Sequence, residues 1–149
     1  MELNWLLKKF DELTTAELYT IMRLRNEVFV VEQNCAYQDA DDIDQLSWHL
    51  AGYDGNNLAA YTRIIPPGIS YEMPGIGRVV TSPAYRKSGI GRTLMNISIE
   101  KTFHLFNCTG IKIGAQLYLK KFYESLGFES CSDQYLEDGI PHIKMLLKK

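Results

Sequence analysis

The stretch IGRVVTSPAYRKSGIGR, residues 76–92, contains a β-prone run that leads through a glycine turn directly into a helix. The run Ile76 to Thr81 ends at Ser82-Pro83, because proline cannot donate to a strand ladder. A helix that begins after such a turn presents backbone N–H groups without intrahelical partners. The sequence therefore predicts a strand, a turn and a helix start that can bind an anion.

The turn supplies both room and positive charge for a phosphate group. It comprises Arg86, Lys87, Ser88, Gly89, Ile90, Gly91 and Arg92. The two glycines let oxygen atoms approach the backbone, and the basic side chains add to the positive end of the helix dipole. A strand-to-helix turn with glycines can also be purely structural, so this pattern alone leaves both interpretations open.

Two common phosphate-binding turns do not match this segment. A Walker loop needs Gly-Lys-Ser/Thr after an earlier glycine, and that string is absent from the sequence. The dinucleotide fingerprint would need a third glycine at position 94, which is Leu94. The turn therefore disfavours a P-loop NTPase and a Rossmann domain, while another nucleotide-binding protein remains an alternative.

Composition indicates one globular domain over residues 1–149. The chain is 46% hydrophobic and 23% charged, and its formal net charge is -2. Such a charge provides no basic field for a nucleic-acid backbone, and no run reaches the ~18 apolar residues of a membrane span. We expect a cytoplasmic protein that binds neither nucleic acid nor membrane. Cys35, Cys108 and Cys131 lack paired spacing and are expected to be free thiols.

Periodicity outward from the turn predicts a single α/β unit of order β-α-β-β-β-α-β-α-β-β. A capping-box pattern at Thr14 to Glu17 predicts a helix start, and apolar spacing predicts that this helix extends to Phe29, with Arg25 on its buried face. The other expected strands are 5–10, 48–53, 58–65, 111–115, 128–131 and 142–147, and the other expected helices are about 94–106 and 117–126. Residues 137–141 predict a turn-rich connection.

An acidic segment follows the first helix and contains Asp39, Asp41, Asp42 and Asp44. A calcium loop starting at Asp39 would need glycine and glutamate where Asp44 and Leu50 stand, so no metal site is expected. These carboxylates form either a solvated face or, if they border the acceptor pocket, a surface that favours a cationic amine. Arg25 is expected to extend its head to solvent or to pair with a nearby carboxylate.

Two motifs together resemble a known family. Arg-x-x-Gly-x-Gly at 86–91, after the strand ending Thr81-Ser82-Pro83, and FYESLGF at 122–128 are similar to the signatures of the GNAT superfamily of acyl-CoA-dependent N-acyltransferases. Residues 25–33, 41–49 and 138–142 resemble the ElaA-like branch of that superfamily. The resemblance implies an α/β (α+β) fold with a mixed, strongly twisted central sheet flanked by helices. It also implies that strands 76–81 and 111–115 splay apart to admit a pantetheine arm.

The resemblance also implies how acetyl-CoA, as co-substrate, would be held. Backbone groups of Val79 and Thr81 would contact the pantetheine amides, and an N–H near Val80 would face the thioester oxygen. The pyrophosphate would lie on residues 86–92, and Gln116 and Phe122 would complete the cofactor site. No metal is expected.

Catalytic candidates are less tightly constrained. Tyr123 occupies the position where the family often carries a general acid, although a tyrosine there can also be a packing residue. Members with a glutamate on the strand before the turn have no equivalent here, since that strand carries Arg78. The base candidates are therefore His49, Glu72, His142 and Glu32, or a water relayed from one of them; each histidine can equally be structural.

These observations predict direct transfer of an acyl group, most simply acetyl, from acyl-CoA to the amine of a small molecule or peptide. A covalent intermediate on cysteine is not expected, because none has an activating motif. The alternative is a module that binds acyl-CoA without turnover. The strands at the C-terminal edge could also pair with a second copy to form a homodimer.

Overall fold

A computed structural model describes residues 2–149. Its strands are β1 (Asn4–Lys9), β2 (Trp48–Asp54), β3 (Asn57–Ile65), β4 (Gly75–Thr81), β5 (Gly110–Gln116), β6 (Glu129–Ser130), β7 (Tyr135–Glu137) and β8 (Ile140–Lys148). The α-helices are α1 (Thr15–Arg25), α2 (Ile90–Leu105) and α3 (Lys120–Glu124). A π-helical segment, Asn26–Glu32, continues α1, and short 3-10 turns cover Phe10–Glu12, Asp44–Leu46, Pro83–Tyr85 and Leu117–Leu119.

Helix α1 begins at the capping box that the sequence predicts. The Thr14 hydroxyl accepts a hydrogen bond from the Glu17 N–H, and the Glu17 carboxylate accepts one from the Thr14 N–H. These two bonds satisfy N–H groups that have no partner inside the helix. The predicted apolar face continues into the π-helical segment, where Val28 and Phe29 are buried. π-helical turns are rare and occur frequently at functional sites.

The strands form one mixed sheet in the order β1-β2-β3-β4-β5-β8-β6, with β7 also paired to β8. Pairing is antiparallel except between β4 and β5, which are parallel and share a single register pair, Gly75 with Lys112. Beyond that pair the two strands diverge. The α/β fold class and the splay of the two central strands are confirmed.

Helices cover both faces of the sheet. Adjacent residues of one strand point to opposite faces: Ala51 and Tyr61 pack with α1 residues such as Ile21, whereas Leu50 and Ala60 pack with Leu94 of α2. A third cluster joins α2 and α3 to the C-terminal half of the sheet; its buried members include Met95, Ile111, Ile113, Tyr123, Phe128 and Met145. No helix in the described part, residues 2–149, is long and apolar enough to cross a membrane.

The C-terminal elements differ from the sequence-based expectation. The predicted helix 117–126 is a 3-10 turn followed by the five-residue α3. The predicted connection 137–141 is a tight hairpin between β7 and β8, with Glu137 opposite Ile140. Asp138 and Gly139 both have positive φ angles, 52° and 77°. That backbone suits a two-residue type I′ turn, whose twist matches the flanking strands.

Candidate active site

A cleft of about 680 Å³ opens where β4 and β5 part. One wall is β4 from Gly75 to Thr81, and the other is β5 with Ile113, Gly114 and Gln116. Residues of the π-helical segment, of α3 and of the β7–β8 hairpin complete the lining of the cleft. The cleft therefore joins the predicted cofactor residues to several of the predicted catalytic residues.

A β-bulge exposes the backbone of β4 to this cleft. Between the Arg63–Gly77 and Tyr61–Val80 pairs, β3 contributes one intervening residue and β4 contributes two, Arg78 and Val79. Arg78 has a φ of 48°, in the left-handed region. A bulge leaves the extra residue outside the ladder, so the main chain of Val79 is available to a ligand.

Ladder alternation orients the next residues of β4. The Ser82 N–H donates to the Ala59 carbonyl at 2.8 Å, which makes residues 82 and 59 a hydrogen-bonded pair. Hydrogen-bonded and non-hydrogen-bonded pairs alternate in antiparallel sheets. Thr81 therefore points its N–H toward the cleft, and Val80 points its N–H toward Tyr61 of β3. This orientation favours Thr81 and Val79 over Val80 as sources of an oxyanion donor.

The glycine turn places an uncapped helix N-terminus at the mouth of the cleft. Gly89, the N-cap residue of α2, has a φ of 76° and no side chain to cap the helix. Lys87 is also left-handed, with a φ of 67°. Within the predicted 86–92 set, Arg86 and Gly91 line the cleft itself. Lys87, Ser88 and Gly89 form an exposed rim, and the Ile90 side chain belongs to the core.

Two side-chain pairs cross the cleft from the end of the π-helical segment. Arg86 donates to both oxygens of Glu32 at 2.6 and 2.7 Å, and this pairing lowers the pKa of Glu32. Gln33 and Gln116 exchange side-chain hydrogen bonds at 3.3 Å. Both members of each pair line the cleft. In this state Arg86 is bound to a carboxylate, which a pyrophosphate would have to displace, and Glu32 is a weaker base than an unpaired glutamate.

Arg92 turns away from the cleft. Its guanidinium donates to the Ser125 hydroxyl at 2.8 Å and lies 5.8 Å from the Phe122 ring centroid. The predicted cofactor residues Arg92 and Phe122 thus form a cation–π contact with each other. Their contact also ties the start of α2 to α3.

Tyr123 lines the cleft and is 5% exposed. Its ring packs edge-to-face against Phe122 and Phe128, with centroids 5.2 and 5.9 Å apart. Burial raises the pKa of the phenol, so the group keeps its proton at neutral pH. Tyr123 is therefore a packing residue that also lines the cleft and keeps its phenolic proton.

The four predicted base candidates do not share one environment. His142 lines the cleft beside Glu137, whereas His49 lies outside it. His49 Nε2 is 2.9 Å from the Asp44 carbonyl and Nδ1 is 2.7 Å from the Tyr61 hydroxyl, so both ring nitrogens are used inside the protein. Burial lowers the pKa of His49. Glu72 is exposed in the loop before β4 and is not part of the cleft wall. These positions leave His142 as the histidine that can reach a cleft ligand.

The acidic segment does not present four free carboxylates to an acceptor. Arg25 is fully buried and pairs with Asp39 and Asp44 at 2.9 and 2.7 Å. Arg63 pairs with Asp41 and Asp44, and Arg78 pairs with Asp39 and Asp41. The expectation that this segment attracts a cationic amine is therefore wrong for three of its four aspartates, because arginines neutralise them. The expectation that Arg25 pairs with a carboxylate is confirmed.

The arginine contacts also control the protonation of this cluster. Burial opposes ionisation of Asp44, but hydrogen bonds and charges from Arg25 and Arg63 outweigh it and lower the pKa of Asp44. The same balance lowers the pKa of Asp41. Asp41 and Asp44 therefore stay charged at neutral pH. Among residues 2–149 no group of three or more His, Cys, Asp or Glu side chains is arranged to hold a metal ion.

Sequence reasoning missed several cleft residues. They are Tyr37, Tyr71, Glu137 and Ile140. Asp138-Gly139 between β-prone residues is a hairpin signal that could have placed Glu137 and Ile140 opposite each other. No local pattern identifies Tyr71, because it reaches the cleft from the loop between β3 and β4.

Comparison with known proteins gives a consistent result. The family described as "Acetyltransferase (GNAT) domain" matches residues 16–149. Protein ElaA of Escherichia coli is 40% identical over 145 residues, covering 96% of this chain and 95% of that protein. The crystal structure of an acyl-CoA N-acyltransferase from Pseudomonas aeruginosa superposes with a TM-score of 0.94 at 39% identity, covering 98% of this chain and 99% of that one.

A more distant structure shares the fold. An aminoglycoside 6'-N-acetyltransferase, solved in complex with coenzyme A, superposes with a TM-score of 0.72 at 18% identity and covers 96% of each chain. At that identity the likeness concerns architecture. It shows that a splayed sheet of this kind occurs in a protein that binds coenzyme A.

Proposed function

Because the chain belongs to the GNAT acetyltransferase family, we propose that it transfers an acetyl group from acetyl-CoA to an amine by direct attack on the thioester. The amine belongs to a small molecule or a peptide. The observation that carries the proposal is the cleft between β4 and β5, which connects an uncapped helix N-terminus to a buried tyrosine. Anion binding and proton donation are the two properties that a CoA thioester requires at its two ends.

The residues present fit coenzyme A as a ligand. The first turn of α2 offers free N–H groups, Gly91 leaves room beside them, and Arg86 can exchange Glu32 for a phosphate. The main chain of Val79 and Thr81 borders the cleft, and its carbonyl groups can accept hydrogen bonds from the amides of a pantetheine arm. When bound, acetyl-CoA supplies the activated acetyl group.

The chain's own groups have distinct tasks in this proposal. Thr81 and Val79 N–H groups polarise the thioester oxygen, which stabilises the negative charge that develops during attack. Tyr123 donates its proton to the departing sulfur, and burial keeps that proton on the phenol at neutral pH until the thiolate forms. His142 accepts the proton of the acceptor nitrogen. Positioned proton transfer of this kind contributes about 10²–10⁴-fold to a rate.

Ligand-induced stabilisation tests the binding half of the proposal. A ligand at ~100 times its dissociation constant that binds only the folded state adds about 2.7 kcal/mol. For a chain of this size that corresponds to a rise in Tm of roughly 5–10 °C. We expect this shift with acetyl-CoA and none with ATP at equal concentration. The opposite result would favour a nucleotide-binding protein.

Thiol release in the presence of a panel of amines tests the catalytic half. CoA release above the hydrolysis background is expected for at least one amine, and Tyr123→Phe should lower that rate without changing the dissociation constant for acetyl-CoA. Unchanged turnover in Tyr123→Phe would remove Tyr123 from the acid role. Binding without any amine-dependent release would favour the alternative, a module that binds acyl-CoA without turnover.

A further inference from the structure

The β7–β8 hairpin arranges four side chains on one face at the rim of the cleft. Its Asp138-Gly139 turn sets Glu137 opposite Ile140 and Tyr135 opposite His142. Cross-strand partners share a face, and so do residues two apart on one strand. Tyr135, Glu137, Ile140 and His142 therefore point the same way. His142 also stacks on Tyr135, with ring centroids 5.8 Å apart and planes inclined at 29°.

The main chain fixes the tautomer of His142. Its Nδ1 lies 2.7 Å from the Ile140 carbonyl oxygen. A carbonyl oxygen can only accept, so Nδ1 carries the proton and, in the neutral ring, Nε2 carries the lone pair. His142 is 6% exposed and lines the cleft. In the neutral ring Nε2 is therefore an acceptor at the cleft wall, and among residues 2–149 the only hydrogen bond of the ring is the one from Nδ1.

A second acceptor faces that lone pair. Glu137 Oε2 lies 3.5 Å from His142 Nε2, and the Glu137 side chain is 59% exposed toward the rim. A carboxylate and a lone pair repel each other, and the distance exceeds that of a good hydrogen bond. Both atoms are hydrogen-bond acceptors when His142 is neutral, so a ligand with more than one N–H group could donate to both of them. A primary amine that arrives as an ammonium ion has three.

Resting on the proposed acetyl transfer, we propose that Glu137 binds the ammonium form of a primary alkylamine acceptor and holds its nitrogen against His142 Nε2. Glu137 binds and orients the acceptor in this arrangement, and His142 is the base that contacts the reacting nitrogen. The acceptor class is a primary alkylamine that is cationic at neutral pH. In this proposal Glu137 attracts the positive charge of the acceptor. Asp39, Asp41 and Asp44 do not, because each is already paired with an arginine.

Two lysines and two tyrosines also lie near the hairpin. Lys112 and Lys144 lie over the Tyr71 ring at 5.0 and 5.9 Å, and Lys144 also lies 5.7 Å from the Tyr135 ring. Neither lysine forms an ion pair with a carboxylate among the described residues. Burial, then the neighbouring Tyr71 and Glu137, raise the pKa of Tyr135 to about 12, and burial also raises the pKa of Tyr71. Asp133 and Asp138 are exposed near the rim.

The proton and electron balance of the step is complete. The bound ammonium gives one proton to bulk water, and the amine lone pair then forms the C–N bond as the C–S bond breaks. The second nitrogen proton passes to His142 Nε2, and Tyr123 protonates the sulfur. His142 and Tyr123 return to their starting states by exchange with water, so no oxidant or further reactant is needed.

Steady-state kinetics with two acceptors of different charge test the role of Glu137. The probes are 1,4-diaminobutane, cationic at neutral pH, and aniline, neutral at the same pH. We expect Glu137→Gln to raise KM for the diamine by about tenfold with little change in kcat, because a charge-assisted hydrogen bond is lost. Glu137→Asp should recover part of that loss. Aniline kinetics should change less than twofold, and His142→Gln should lower kcat for both acceptors.

Asp138→Asn is the matched control. It removes the same charge from the neighbouring residue, and asparagine tolerates the left-handed backbone that Asp138 adopts. Equal KM changes in Glu137→Gln and Asp138→Asn would overturn the proposal, as would a Glu137→Gln variant that loses diamine and aniline turnover alike. Acetyl-CoA binding, measured by thermal shift in every variant, separates these outcomes from failure of the proposed function, in which neither binding nor transfer to any amine occurs.

Discussion

Gly91→Ala should stabilise the free protein and weaken CoA binding at the same time. Gly91 is the second residue of α2, and a Cβ atom placed there would meet no other atom within 4 Å. Alanine is favoured over glycine inside a helix by about 0.5–1 kcal/mol. For a chain of this length that gain raises Tm by roughly 1–4 °C. The same methyl group would project into the space beside the uncapped helix start.

The loss of binding follows from the contact that the methyl group blocks. A hydrogen bond between a backbone N–H and a charged phosphate oxygen contributes about 1.5–3 kcal/mol, so one lost contact should raise the dissociation constant of CoA tenfold or more. Isothermal titration with CoA measures this change, and calorimetric unfolding without ligand measures the gain in stability.

Gly89→Ala is the control for the same chemical change two residues earlier. Gly89 also has open space around its Cβ direction, but its φ of 76° is left-handed. A non-glycine residue in that conformation costs about 1–2 kcal/mol, so this variant should lose stability. If Gly91→Ala bound CoA as tightly as the parent protein, the assignment of the α2 N-terminus to the pyrophosphate would be refuted.

Three further predictions concern charged groups around the cleft. Glu32→Gln should tighten CoA binding by up to about fivefold at low salt, since exposed ion pairs contribute about 0.2–1 kcal/mol and Arg86 would no longer be held by a carboxylate; weaker binding in a titration would contradict this. Arg25→Met should lower the free energy of unfolding by about 3–5 kcal/mol, because Asp39 and Asp44 each lose the fully buried one of their two arginine partners. Arg23→Met on the exposed face should change the free energy of unfolding little in urea unfolding. Burial holds the pKa of His49 below its ordinary value of 6.5, so its contribution to stability is present above pH 6.5 and is lost as the pH falls toward the folded pKa. His49→Gln should therefore reduce the dependence of the unfolding free energy on pH below pH 6.5. An unchanged dependence would exclude His49 as its cause.

The donor half of the cleft could be predicted from sequence because local backbone chemistry defines it. Proline after β4, glycine at 89 and the capping box at Thr14 each act through main-chain geometry within a few residues. Such signals do not depend on which distant segment packs nearby. The splay of β4 from β5 was expected through the family resemblance, and it is confirmed by the single Gly75–Lys112 pair.

The part of the cleft proposed to bind the acceptor could not be predicted because its side chains come from segments far apart in sequence. Tyr71 belongs to a loop, Gly114 to β5 and Tyr135 to β7, yet a Cβ atom on Gly114 would lie 2.9 Å from the Tyr135 hydroxyl and 3.4 Å from the Tyr71 hydroxyl. No spacing in the sequence brings these groups together. The neutralisation of the acidic segment could not be predicted for the same reason, since the arginines that pair with its aspartates lie on α1, β3 and β4.

The aspartates of the acidic segment contribute to the cleft through Arg78. That residue adopts a left-handed φ at the bulge that frees the main chain of Val79, a conformation that costs about 1–2 kcal/mol in a non-glycine residue. Asp39 contacts its Nε at 2.9 Å, and Asp41 contacts its guanidinium at 3.3 Å. Asp39 is itself fixed by the fully buried Arg25. The buried ion network therefore holds the Arg78 side chain at the bulge, so the acidic segment is tied to the strand that the proposal places beside the thioester.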